Sequence, residues 1–452
     1  MRKKIIVAIV AALTFISVGS ATAEEVSNGH ESVGSTSVST NGVTDAVSWS
    51  NCTGQDGHSY VSVKRKSADW SVPILVGGTE CGVWPQVAVL NNGTIYVFWL
   101  ESSKLYFSKS GKTGNTFTEP ALLPATQSKN LLEVYVFSNQ NAITLFTTSL
   151  VDENLFGDTY DLVGKKWHAN EVGDLFPDSV FTKCDYSDEN CEQNVNGAIL
   201  KSNAKGQQVL LMTVVSRLQQ ESLETYAAYV FKRSSGTKVW NSRAILDSYG
   251  PADVYSWNFW PTSVVVTPKG KSVIAFNRQF NTEPNSIETY TSSSMNKAFK
   301  RTDELAISSL TNTSDGHLVN QGEKVYLAFS AWEDLYANNR SLYGKVSDLD
   351  HAAVLSDSLR VLDIGMVGGK VKAILATNTE TMDGYVYVST KKPSGWSNPV
   401  TVISPSVEHV KPMTFWISSE YRNAHAVIAT VGFYDDGISS FWGKGIYAES
   451  IK

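Results

Sequence analysis

Between residue 46 and the C-terminus the apolar positions fall into short runs and two-residue alternations, bounded by Gly, Asn, Asp, Ser and Pro. That is the pattern of short β-strands joined by turns. No long stretch carries the period of an amphipathic helix. The alternations repeat as a unit: a strand after a turn, a more apolar strand, a strand carrying Tyr, then a turn leading to Trp or Phe. The clearest copy opens with Trp84-Pro85-Gln86-Val87, continues with Ile95-Tyr96-Val97-Phe98-Trp99 and Leu105-Tyr106-Phe107-Ser108, and closes at Phe117-Thr118-Glu119-Pro120. The closing aromatics are Trp70, Phe117, Trp167, Trp240, Phe299 and Trp396, with a degenerate copy near Leu349-Asp350.

Four short strands repeated about every forty to fifty residues predict the blades of a β-propeller. One blade cannot bury both of its faces alone, and a ring of blades solves that. The most apolar strand recurs at 95–99, 143–147, 209–215, 273–276, 325–329, 371–376 and 426–431. That series predicts an all-β, single β-propeller of seven four-stranded blades, with six as the alternative. The last unit has Ile446-Tyr447-Ala448 as a third strand and no closing aromatic after it. Extra strands at 46–49 and 60–63 are therefore expected to complete the last blade and close the ring.

The turn before the closing aromatic carries a family resemblance. Ser110-Gly111-Lys112-Thr113-Gly114-Asn115-Thr116-Phe117 resembles the Asp box of sialidase-type (BNR) repeats, S-x-D-x-G-x-T-W/F. Ser389 and Trp396 keep the same spacing, as do Ser292 and Phe299, where Asn296 stands at the Gly position. Asn tolerates the left-handed backbone of a tight turn. Lys112, Lys391 and Ser294 occupy the place of the Asp. The resemblance implies a sialidase-like propeller, with the box as a structural turn. It also implies an Arg-Ile-Pro start to an early blade, where this chain has Trp84-Pro85-Gln86. Arginine is scarce, and a carboxylate substrate is best gripped by bidentate arginines.

The N-terminus adds an address. Arg2, Lys3 and Lys4 precede an apolar run over 5–18, and Ala21-Thr22-Ala23 supplies the small residues of a cleavage site. This predicts a secretory signal peptide over 1–23, too short to be a comfortable membrane span. No later stretch is long and apolar enough to span. A bacterial protein exported to the periplasm, cell surface or medium is expected. Residues 24–45, rich in Ser and Thr, read as a flexible leader, and 46–452 as the propeller. Four cysteines in an exported chain suggest disulfides, with Cys52–Cys81 and Cys184–Cys191 as the pairing with the shortest loops among three arrangements. The net charge of −6 and scattered lysines give no nucleic-acid footprint.

Candidate chemistry sits on loops at one face of the ring. Trp257, Asn258, Trp332, Arg278, Arg217, Asp315 and His317 suit a glycan, since indoles stack on a pyranose and polar groups bond its hydroxyls. Trp84 and Trp260, each before Pro, read instead as packing residues between blades. Glu101 and Glu333, with Asp334, form the candidate carboxylates for glycoside hydrolysis. Asp185, Asp188 and Glu189, between Cys184 and Cys191, are the one group that could hold calcium. No other cofactor is implied. The reading is an exported propeller that binds a glycan or a surface protein rather than catalysing a reaction. The alternatives are a glycosidase-like hydrolase or lyase, and an interaction scaffold in envelope or surface assembly.

Overall fold

The computed structural model describes residues 24–28, 36–53, 56–66, 68–80, 84–111, 116–139, 142–151, 154–163, 165–177, 191–218, 223–234, 239–241, 244–252, 258–280, 283–306, 312–313, 316–332, 340–377, 385–404, 410–412, 418–422, 425–434 and 446–452. They form eight antiparallel sheets, with no α-helix among the described residues. The chain is an eight-bladed propeller, not the expected seven- or six-bladed one. The innermost strands, in blade order, are Ser37–Thr40, Gln86–Val89, Leu131–Asn139, Cys191–Ser202, Asn258–Val266, His317–Gln321, Arg360–Val367 and Ser418–Arg422. All eight contribute to the lining of one central cavity.

The missing blade is the first. The strands expected to patch the last blade lie within Thr44–Thr53 and Asp56–Arg65, which with Ser37–Thr40 and Ile74–Gly77 build a complete sheet. Its second strand evades a search for apolar runs because it buries Ser48 and Ser50 where other blades bury Val or Leu. Ser48 Oγ donates to the Pro85 carbonyl at 2.8 Å, which offsets the desolvation of its hydroxyl. Residues read as flexible leader thus supply blade 1's inner strand. The same stretch supplies the outermost strand of blade 8: Glu24 and Glu25 pair with Ala448 and Tyr447. Val26, buried, follows them into the seam.

The core is distributed. Eight hydrophobic clusters each join two successive blades, and the eighth joins blade 8 to blade 1 through Val26, Val47, Trp49, Val427, Ala429 and Ile446. Fully burying each such Val, Ile or Phe contributes roughly 1.5–3 kcal/mol. Neighbouring inner strands do not pair with one another, so their edge N–H groups need other acceptors. Serines serve: Ser37 and Ser39 accept from Val87 and Val89 at 3.2 and 3.0 Å, and Ser263 accepts from Leu318 at 2.9 Å.

One dipeptide holds its blade on both sides. Lys232 and Arg233 end the third strand of blade 4, and successive strand residues point to opposite sheet faces. Arg233, buried, meets Asp161 of blade 3 through both terminal guanidinium nitrogens, Nη1 and Nη2, with Nη2–Oδ1 at 2.8 Å, and lies 4.4 Å from the centre of the Trp240 ring. Lys232 turns to blade 5, donating to Ser292 Oγ at 2.6 Å and to the Ser294 and Lys297 carbonyls, beneath the Phe299 ring. It therefore fastens the Asp-box-like turn whose Asp is absent. Burial lowers its ammonium to about 8. In blades 1, 2 and 7 a buried serine does the comparable work: Ser62, Ser108 and Ser389 donate to the carbonyls of Ser71, Thr118 and Ser397, each the residue after the closing aromatic.

Candidate functional site

Every blade begins with its inner strand, so all eight inner strands run the same way along the axis. Their starts define one face of the ring, called here the upper face, and their ends the lower face. The axial cavity holds about 390 Å³. A second cavity of about 310 Å³ shares Ser37, Val38 and Ser419 with it and carries it out to Trp84, Pro85 and Gln86 at the upper face. Together they make a funnel whose outer part lies between blades 8, 1 and 2.

Trp84 stands at its mouth. It was expected to pack between blades, yet 61% of its surface is exposed. Pro85 beside it is buried and fixes the chain there, and Gln86 is committed to blade 3, donating to the Val134 carbonyl at 2.6 Å and accepting from the Val136 N–H at 2.8 Å. The indole is thus held out from a rigid base.

Deeper in the funnel, blades 6, 7 and 8 bring His317, Asp363, Ser419 and Tyr421 together. His317 Nδ1 lies 3.5 Å from Asp363 Oδ1, the Ile364 N–H reaches Asp363 at 2.7 Å, and Ser419 Oγ donates to Oδ2. Burial disfavours the charge on Asp363, but His317, Ser419 and the Ile364 N–H outweigh it and hold the carboxyl below the usual range. Its side chain keeps 28% of its surface accessible and lines the axial cavity. Tyr421 lies flat on Gly365: a Cβ at that position would come 2.2 Å from Tyr421 Cγ. Burial, and then the charge of Asp363, push the phenol well above its ordinary value. Its hydroxyl has no hydrogen-bond partner among the described residues.

The lower end of the cavity is a knot of side chains. Glu420 of blade 8 accepts from the Thr40 N–H of blade 1 at 3.0 Å and from Ser138 Oγ of blade 3 at 3.4 Å. Ser138 Oγ and Ser39 Oγ are 3.3 Å apart, and Arg422 Nη1 donates to the Val89 carbonyl of blade 2 at 3.3 Å. Burial raises the Glu420 carboxyl, and Arg422, Ser39, the Thr40 N–H and Lys201 offset that only in part.

Of the residues read from the sequence, His317 is in this cluster. Arg217 stands apart from it, 3.5 Å from Glu192 on blade 4. Glu101 lies on the outer part of the blade 1–2 seam: the Thr79 N–H reaches one of its oxygens at 3.0 Å and Trp99 Nε1 the other at 3.2 Å. Asn258, Arg278 and Trp332 lie at strand ends of blades 5 and 6, where the backbone alone is described. Trp257, Asp315, Glu333, Asp334, Asp185, Asp188, Glu189, Cys81 and Cys184 lie outside the described residues, and of Cys52 and Cys191 the backbone alone is described. No group of metal-ligating side chains appears among the described residues, nor does a helix long and apolar enough to cross a membrane.

Sequence reasoning missed Asp363, Ser419, Tyr421 and Glu420, since each lies inside a strand that reads as ordinary alternation. It also missed Glu133 on blade 3. Burial pushes that carboxyl up to about 7, opposed only by the Thr148 hydroxyl at 3.5 Å.

Comparison with known proteins supports the fold. No family model matches the chain, and no curated protein matches its sequence significantly. Among solved structures, the Dos1 propeller superposes with a TM-score of 0.52 at 8% identity, covering 94% of each chain. A polysaccharide lyase of family PL25, an ulvan lyase bound to -[GlcA(1-4)Rha3S]-, superposes with a TM-score of 0.50 at 12% identity, covering 85% of this chain and 94% of the other. The NanB sialidase of Streptococcus pneumoniae gives 0.43 at 7% identity over 94% of each chain. The likeness to the Dos1 propeller and to the PL25 lyase agrees with the β-propeller fold seen in the sheet topology.

Proposed function

We propose that this is an exported propeller that binds a glycan in the axial funnel, entering from the upper face. One observation carries the reading: an exposed indole, Trp84, stands at the mouth of a cavity that joins the axial one, whose wall carries Asp363 and Ser419. An aromatic face stacks on the apolar face of a pyranose, and a charged acceptor bonds its hydroxyls strongly. That glycan-acting enzymes share the fold agrees with this reading. The test is a glycan array probed with the mature chain. Binding to a glycan class, weakened several-fold in Trp84→Ala with the thermal midpoint unchanged, is the expected result. An array without signal refutes it.

A catalytic reading has one foothold, the grouping of His317, Asp363 and Tyr421 on neighbouring blades. If these groups move protons, the protein releases new chain ends from the glycan it binds, and Tyr421→Phe abolishes the release while leaving binding intact. Binding with no release, over long incubation, leaves the protein a binder.

A further inference from the structure

Among the described residues, the lower end of the funnel differs from the upper in one respect: side chains cross it. In a ring of eight, bonds between adjacent blades run around the wall, whereas bonds between distant blades must run through the lumen. Ser138 of blade 3 bonds Glu420 of blade 8, three blades away. Arg422 of blade 8 bonds the Val89 carbonyl of blade 2, two blades away. Ser39 of blade 1 meets Ser138 of blade 3. Lys201 of blade 4, diametrically opposite blade 8, lies close enough for its charge to act on Glu420. These chords lie near the ends of their inner strands, at Ser39, Val89, Ser138, Lys201 and Arg422, on the lower side. The upper side has the exposed Trp84, which lines the second cavity.

We infer that the funnel is a blind pocket, floored by the Ser39–Ser138–Glu420–Arg422 knot, and that it takes the end of a glycan chain and not an internal segment. The inference rests on the glycan reading above. A polysaccharide cannot thread through a floor that is hydrogen-bonded across the lumen. A chain lying over the mouth in its middle would touch Trp84 without reaching Asp363. A terminal residue can do both, stacking its neighbour on the indole and presenting its own free hydroxyls to Asp363 and Ser419. The floor is polar and pinned from at least three blades, so it is a fixed wall and not a movable gate.

The experiment counts protein molecules bound per polysaccharide chain. The probes are linear dextran and alginate, one neutral and one acidic, each in fractions of increasing length, with the chain ends free or chemically capped. Binding of the full mature chain is measured by calorimetry. End recognition predicts that the number bound per chain stays constant as length grows, and that capping the recognised end abolishes binding. A number that rises in proportion to length, or binding indifferent to both caps, overturns the inference while leaving the glycan reading standing. No binding to any fraction, together with a silent glycan array, overturns both. Trp84→Ala serves as a second check: it weakens affinity several-fold without changing the number bound per chain.

Discussion

Glu133 offers a stability prediction with its magnitude set by the structure. The carboxyl lies on the inner strand of blade 3, next to a bulge between Leu131 and Glu133. Burial raises it from 4.5 to about 7. A group raised on folding favours the protonated native state. Its contribution is complete below pH 4.5, falls as pH climbs through the interval, and is gone above about 7. The shift corresponds to about 3 kcal/mol as a ceiling. Glu133→Gln keeps the shape and hydrogen-bonding capacity of the protonated acid and removes the ionisation. At pH about 4.5 the variant should match the parent. At pH about 8 it should be more stable, by up to about 3 kcal/mol. Urea unfolding of both proteins at the two pH values measures this as the difference of differences. An equal effect at both pH values, or a variant less stable at the higher one, would refute the claim that this carboxyl is buried without a compensating cation.

Two further substitutions probe the frame. Gly365→Ala places a methyl carbon where the Tyr421 ring lies; it should cost about 1–3 kcal/mol by overpacking and weaken glycan binding, and unchanged unfolding and binding curves would show that the ring has room to move. Arg233→Met leaves Asp161 buried without its cation and should cost about 3–5 kcal/mol, much of it recovered in the double variant with Asp161→Asn; a double variant no better than the single would assign the loss to packing on Trp240.

The fold was legible where blades bury aliphatic residues and close on an aromatic, because period-two alternation and Trp167, Trp240 or Trp396 mark them directly. It was not legible in blade 1, whose second strand satisfies buried Ser48 through a hydrogen bond to blade 2, a relation that a hydropathy pattern cannot express. The two-residue strand at Glu24–Glu25 is too short to carry any period. The site was less readable still. His317 stood out as a polar residue at a strand start. Asp363 and Tyr421 look like surface alternation until three blades converge, since a propeller turns the edges of its inner strands into a wall. Trp84 was misread because its partner Pro85 is the buried member of the pair.

The way the ring is closed has a mechanical side. Glu24 pairs with Ala448, close to the C-terminal Lys452, in an antiparallel register. A load applied across these two positions therefore peels the closing strand like a zipper, one hydrogen bond after another, and does not shear several at once. Such a load opens the barrel of blades at its seam before any other blade is stressed. The clasp that completes the circle is consequently its weakest link under tension, although Val26 and Trp49 bury it well at rest.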